Sequence, residues 1–273
     1  MLPGIVPNVG TGPRRQLYQL VKDAGLTSAL QMCFDPGDKA SYPGSGQAIF
    51  DVSGNGYQLV FGASMSVGTD DPSWSGTVNG QSSSEMFTFD GGDFLQLTAN
   101  DTFVQSLHKV GATFTVLVIA AGFSAGSANA LLNTKSGTAG AIYVGTVVYK
   151  GSGNFLGAIV GGSSLAAQEA GTVQTVAATG MQMLAVGRQL VSSTNRVTDF
   201  YINGVWETKT DTSSVALSTS NATATLAYGT AGDGSTKVPA GHTLFGLAIF
   251  NRRLTQAQLD LLRGSFKRRW PSI

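Results

Sequence analysis

From Leu26 to Phe250 the apolar residues fall into short runs, some alternating with polar residues and some continuous, each bounded by Gly, Asn, Asp or Ser. Period-two runs with such borders predict strands, here around 29–34, 57–61, 86–89, 94–97, 113–121, 141–149, 155–160, 173–177, 181–188, 198–203, 223–228 and 244–250. Asn203-Gly204 adds a two-residue hairpin signal, because both residue types tolerate positive φ. So many strands with almost no helix between them predict an all-β fold, a two-sheet antiparallel jelly-roll sandwich rather than a βαβ fold.

Helical spacing is confined to the two ends. Leu17, Leu20, Val21 and Ala24 recur at helical intervals between Pro13, suited to a first turn, and Gly25, suited to a stop. At the other end Thr255 and Gln258 form a capping box with Leu254 and Leu259 as its hydrophobic staple. Leu259, Leu262 and Phe266 then share a face, and Pro271 ends the element. Ahead of the first helix, Leu2, Ile5, Val6 and Val9 are interrupted by Pro3, Gly4, Pro7 and Gly10. That segment buries little of its own surface and reads as an arm held by a neighbouring copy or against its own sandwich, the first of which predicts self-association. The organisation expected is therefore an N-terminal arm and short helix over 1–25 and one sandwich over 26–273, the C-terminal helix included.

Composition narrows the function. Charged residues make up 12% of the 273 residues, against a usual value of about 25%, and 36 glycines supply the turns. Six of the 17 Lys and Arg lie at or after Arg252 with Asp260 as the only acid there, so the tail carries about +5 and residues 1–251 about −4. A uniform nucleic-acid-binding surface is excluded, and Lys267-Arg268-Arg269 reads as a complement to the helix dipole. Cys33, the single cysteine, forbids an intramolecular disulfide and sits among Leu30, Met32 and Phe34 as a buried thiol. The first residues lack a basic and apolar leader pattern, and no apolar run approaches the roughly 20 residues of a membrane span.

The order of several short signatures carries more than any one of them. They are Asp35, Ser41-Tyr42-Pro43-Gly44-Ser45-Gly46, Asp51-Val52-Ser53-Gly54-Asn55-Gly56, Phe89-Asp90-Gly91-Gly92-Asp93-Phe94, Phe200-Tyr201-Ile202-Asn203-Gly204 and the segment from Phe245 to Thr255. This order resembles the concanavalin A-like lectin/glucanase superfamily in its laminin-G-like form, common in bacteriophage structural and tail proteins, over roughly residues 26–270. Gln258 departs from the acidic residue usual in that family's capping box. The resemblance implies a concanavalin A-like sandwich acting without catalysis in a bacteriophage tail, fibre or capsid decoration. Its partners would be other virion proteins, with a cell-surface glycan as a further ligand. Assembly would take place in the host cytoplasm and the mature location would be the virion.

Several motifs were weighed for chemistry. Gly122-Phe123-Ser124-Ala125-Gly126 matches a nucleophile elbow, with His242 later in the chain, but no helix pattern follows Ser124 and the segment reads as a hairpin loop. Superfamily glucanases line alternating acids along one strand, whereas this chain has only Glu85, Glu169 and Glu207 among its glutamates. Asp199 and Glu207 therefore read as solvated turn and edge charges, and no catalytic residue is assigned. His108, His242 and Cys33 have no metal-ligand spacing. Calcium is the one cofactor left open, through Asp70 and Asp71 or Asp90 and Asp93, with Asx-turn capping the plainer role. For a sugar, the loop with Asp70, Asp71, Trp74 and Asn79 combines an aromatic face with polar groups, Trp74 being the stacking residue unless it covers the sandwich edge. Trp206 and Trp270 read as packing residues.

Overall fold

The computed structural model describes residues 15–97, 101–134, 144–161, 168–213, 216–220, 226–230 and 237–273. The arm expected before Pro13, and the first residues of the strands expected at 141–149 and 223–228, lie outside these. In chain order the strands are β1 (Leu30–Phe34), β2 (Ala48–Phe50), β3 (Gln58–Phe61), β4 (Ser73–Ser75), β5 (Met86–Phe89), β6 (Leu95–Leu97), β7 (Thr113–Ala121) and β8 (Asn129–Asn133). They continue with β9 (Thr146–Lys150), β10 (Phe155–Val160), β11 (Gln168–Thr175), β12 (Gln182–Leu190), β13 (Asn195–Ile202), β14 (Val205–Thr212), β15 (Ala227–Tyr228) and β16 (His242–Phe250). Three α-helices, α1 (Leu17–Asp23), α2 (Thr102–Ser106) and α3 (Gln256–Phe266), and a 3-10 turn (Thr27–Ala29) complete the described elements, α2 falling between strands and so outside the two ends where helix is expected.

The strands form two antiparallel sheets. One runs β14-β13-β12-β7-β16-β5-β4 with β1 also paired to β16, and the other runs β11-β10-β9-β8-β15-β6-β3-β2. The expected sandwich is the observed one. Four short or polar strands, β2, β4, β8 and β14, escape a reading based on apolar runs, and β14 (Val-Trp-Glu-Thr-Lys-Thr-Asp-Thr) is the clearest case. Its register comes from the turn: Asn203 at φ 49° and Gly204 at φ 100° close the hairpin that sets Ile202 opposite Val205.

Alternation assigns the two faces. Along β7, Phe114, Val116, Val118 and Ala120 point between the sheets, while Leu117 and Ile119 point to the opposite face. That second face is covered by α1, α3 and the C-terminal residues, so β7 is apolar on both sides and reads as a continuous run. Helix α1 starts at Leu17, later than expected, and buries Leu17, Leu20 and Val21 completely. It ends in a Schellman motif, with Gly25 at φ 69°, the Gly25 N–H donating to Lys22 and the Leu26 N–H to Val21. The helix of the segment set apart in the sequence analysis is thus built into the outer core. Gly246 on β16 leaves the space that Leu17 and Trp270 fill.

One buried ion pair ties these parts together. The Asp35 carboxylate follows β1 and accepts from the Leu17 N–H (2.7 Å), the Gly37 N–H (2.8 Å) and Arg269 Nη1 (2.6 Å). Neither side chain of the pair is exposed, with 0% accessibility on both. Arg269 also donates from Nε to the Ser82 carbonyl at 2.9 Å and lies 4.4 Å from the Trp270 ring centroid. A side chain at Gly37 would overlap the guanidinium, which explains glycine there. The basic triplet at the end of α3 is therefore not a surface patch, since one of its members is internal.

Breaking a buried pair by removing one partner leaves an uncompensated charge. Arg269→Met is therefore expected to cost about 3–5 kcal/mol in urea denaturation, and adding Asp35→Asn in that background should recover part of the loss. Wild-type stability in Arg269→Met would show that the pair ties nothing together.

Candidate functional site

At the β14 end of the first sheet α3 covers the outer face at Tyr201, whose hydroxyl donates to Asp260, and leaves an open cleft beside the row that follows. Period two brings Gly187, Asp199 and Thr208 into one row across β12, β13 and β14, with Trp206 in the next row opposite Tyr201. The link between β16 and α3 crosses above this row, and two outward threonines of β7 hold it there. Thr113 Oγ1 accepts from the Arg253 N–H at 3.2 Å, while Thr115 Oγ1 accepts from the Leu254 N–H and donates to the Arg252 carbonyl, both at 2.9 Å. Glycine at 187 lets the Arg253 stem lie against the strand. Its guanidinium then forks onto Asp199, Nε to Oδ2 and Nη2 to Oδ1.

The result is a cleft of about 490 Å³ lined by Gln189, Asp199, Trp206, Arg252, Arg253 and Gln256, among others. Trp206 donates from Nε1 to Thr208 Oγ1 at 3.0 Å, and Thr208 donates to Asp199 Oδ1 at 2.7 Å. This chain of bonds fixes the indole. Asp199, with 1% of its side chain exposed, is a buried partner of Arg253 and not the solvated charge that the sequence suggests. Glu207 is likewise engaged, by Thr172 and by Lys209 at 3.6 Å. It pairs opposite Phe200 while Asp199 pairs opposite Thr208, so the two carboxylates point to opposite faces of the sheet and cannot flank one glycosidic bond.

Ser124 forms no elbow either. The loop after β7 crosses to β8 in the other sheet, so it is not a hairpin loop, and a strand rather than a helix follows Ser124. Its hydroxyl donates to the Ala125 carbonyl at 3.3 Å. His242 is fully buried, pairs through Nε2 with the Tyr228 hydroxyl at 2.7 Å, and is pushed by desolvation down to about 3, leaving it neutral at ordinary pH.

The four residues singled out for a sugar play separate parts. Trp74 lies on β4 with its ring 5.6 Å from Tyr42 at the rim of the inter-sheet core, and its indole N–H donates to the Pro36 carbonyl at 3.1 Å. Asn79, at φ 60°, accepts from Gln16 beside α1. Asp70 accepts from the Ala63 N–H and Asp71 from the Gly68 N–H, both at 2.7 Å, which shapes their loop. Asp71 also lines a second cleft of about 360 Å³ with Asp90 and Asp93. There Asp90 accepts from the Gly92 N–H, and Asp93 from the Asp90 N–H. Asp71 Oδ1 and Asp93 Oδ1 are buried without a hydrogen-bond partner among the described residues, and no group of three His, Cys, Asp or Glu among the described residues is placed to hold a metal. Of the four acids, Asp90 forms the expected Asx turn, to the N–H two residues on, while Asp70, Asp71 and Asp93 accept from N–H groups earlier in the chain.

Burial pushes the Asp93 carboxyl up to about 6, with Asp90 adding to the effect, while the Gly92 N–H holds Asp90 low. A carboxyl whose folded value exceeds its unfolded one opposes folding when ionised. The penalty is full above about pH 6 and fades as pH falls towards the ordinary value of 3.8. Asp93→Asn should therefore raise Tm over wild type at pH 7.5, with the gap closing as pH falls through this window. An equal gap at every pH would show that ionisation of Asp93 is not its source.

No protein-family profile matches the chain, and no curated protein sequence matches it. Solved structures do. The binding domain of botulinum neurotoxin DC in complex with rat synaptotagmin II superposes with a TM-score of 0.57 at 11% identity, covering 88% of this chain and 52% of that one. The same binding domain in complex with SialylT gives 0.59 at 11% identity with the same coverages. A structure of botulinum neurotoxin type C, described as dependent for its uptake into cells on interaction with two ganglioside molecules, gives 0.59 at 12% identity, covering 89% and 52%. The chain spans about half the length of these structures. At such identity the likeness establishes the fold alone, a two-sheet β-sandwich of the kind found in neurotoxin binding domains.

Proposed function

We propose that this chain is a non-enzymatic glycan-recognition module, and that its setting is a bacteriophage virion, as tail, fibre or capsid decoration. The observation that carries glycan binding is the Trp206 cleft. It sets an aromatic ring with a fixed orientation beside Gln189, Arg252 and Gln256, in a volume within the roughly 300–1,000 Å³ of small-ligand sites. Sugar recognition needs that combination, an apolar face for the pyranose and polar groups at its rim. Support also comes from the fold likeness to a neurotoxin dependent on two ganglioside molecules for cell entry and to a neurotoxin binding domain in complex with SialylT. The virion setting rests on the sequence resemblance.

What supports the non-enzymatic reading is how the candidate acids, serine and histidine are engaged. Asp199 is neutralised by Arg253, Glu207 faces the other way, and Ser124 and His242 are bonded to other groups.

Glycan-array binding by the purified chain tests the reading. Binding should fall at least tenfold in Trp206→Ala and persist in Trp74→Ala, whose indole is anchored to Pro36 and whose loss should appear as a lower Tm. Loss of binding only in Trp74→Ala would return the site to the loop of Asp70, Asp71 and Asn79. Turnover of β-glucans or acyl esters that disappears in Ser124→Ala or Glu207→Gln would overturn the non-enzymatic assignment.

A further inference from the structure

Between the sheets, at the end where β11 and β14 lie side by side, the interior is polar. Register places Arg188 of β12 directly opposite Thr198 of β13, and Arg196 opposite Leu190, so the two arginines are diagonal neighbours on one face. That face is internal, because Leu184, Val186, Phe200 and Ile202, at the same alternation, belong to the inter-sheet core. Arg188 is 0% exposed and Arg196 1%. Nε, Nη1 and Nη2 of Arg188 have no hydrogen-bond partner among the described residues, nor do Nε and Nη1 of Arg196 or Oγ1 of the fully buried Thr198. Only Arg196 Nη2 is engaged, donating to the Thr194 carbonyl at 3.0 Å.

Among the described residues the charges on this face do not balance. Alternation along β14 turns Glu207, Lys209 and Asp211 inward beside Phe200, Thr198 and Arg196. Lys209 is paired with Glu207, and Asp211, whose Oδ2 is also buried without a hydrogen-bond partner among the described residues, is the carboxylate that acts on both arginines. One guanidinium is thus left without a counter-charge among the described residues. Burial, with Arg196 adding to it, lowers Arg188 to about 9, which still leaves it protonated at neutral pH. A buried charge without partners is costly. Arginine keeps its proton, so the compensation must come from outside the side chain.

We propose that Arg188 and Arg196, with Thr198 beside them, form an internal site for one small oxyanion of the phosphate or sulfate class. Planar guanidinium forks match the spacing of two oxygens on such an ion, which a spherical halide does not offer. The near-zero exposure of both arginines limits the ligand to a free ion, and excludes a phosphate carried on a polymer or membrane. Enclosed in this way, the ion acts as a structural counter-charge for the seam between β11 and β14.

The test uses the full chain, unfolded and refolded in sodium chloride to remove any bound ion. Tm is then followed with added sodium phosphate or sulfate at constant ionic strength. A saturable rise is expected, about 5 °C once the ion exceeds its Kd a hundredfold, together with a saturable heat in calorimetric titration. Both should vanish in Arg188→Met and persist in Lys39→Gln, an exposed control. If Arg188→Met does not fold, Arg188→Lys, which keeps charge but not the fork, should show a smaller rise and weaker binding. No oxyanion-specific rise, or an equal rise in the Arg188 variant, overturns the proposal and leaves water as the partner of the pair.

Discussion

Asp35 and Arg269 are 234 residues apart in the chain, yet one carboxylate oxygen joins them and also receives the N–H that opens α1. Four separate parts converge on this pair: the first helix, the end of β1, the loop carrying Ser82 and the tail after α3. Burial makes the contact close to all-or-none, because either ion alone would be stranded in a low-dielectric interior. Positions nearby are adapted to it. Gly37 leaves room for the guanidinium, and Gly246 leaves room for Leu17 and Trp270, which flank it on the outer core. Through this pair the outer helical layer is locked onto the sandwich and not merely resting there.

The outer layer covers only part of its sheet, and that asymmetry creates the cleft. Over β7, β16 and β1 the outward residues are Leu117, Ile119, Ala248 and Phe250, which demand a helical cover. Over β12, β13 and β14 the outward row contains Gly187, Asp199 and Thr208, which hold Arg253 instead. The same connection, residues 251–255, serves both halves: Leu254 staples α3 into the outer core while Arg253 forks onto Asp199. Stability and a ligand-ready surface therefore come from one segment. A site built this way is rigid, since its indole, carboxylate and guanidinium fix one another before any ligand arrives.

Residues that look reactive as isolated letters are mostly structural here. His242 is kept neutral and bonded to Tyr228, Lys150 holds the loop of Ser124 through the Ser124 and Ser127 carbonyls, and Asp70, Asp71 and Asp90 close turns. Among the described residues, the buried polar atoms without hydrogen-bond partners include five guanidinium nitrogens of Arg188 and Arg196.

Taken alone, the sequence determined the fold class, because period-two runs, turn glycines and end caps are local signals. The Asn203-Gly204 hairpin, the Thr255–Gln258 capping box, the stop at Gly25 and the buried Cys33 were all legible, each depending on residues close in the chain. Apolar runs disclosed both faces of β7 but could not disclose β14, whose polar residues carry no hydrophobic signal even though half of them point inward. Tertiary structure alone decided the candidate site. Trp206 packs against the outer core as its letters suggest, but its place in the cleft, and the burial of Asp199, follow only when Arg253, 54 residues from Asp199, is laid over Gly187. It likewise turned Arg269 from a helix-end cation into a buried partner of Asp35, and placed Arg188 beside Arg196 inside the sandwich. The physical reason is the same in each case. Electrostatic partners and solvent exposure are set by which strands pair and which faces are covered, and those relations join residues that no local pattern connects.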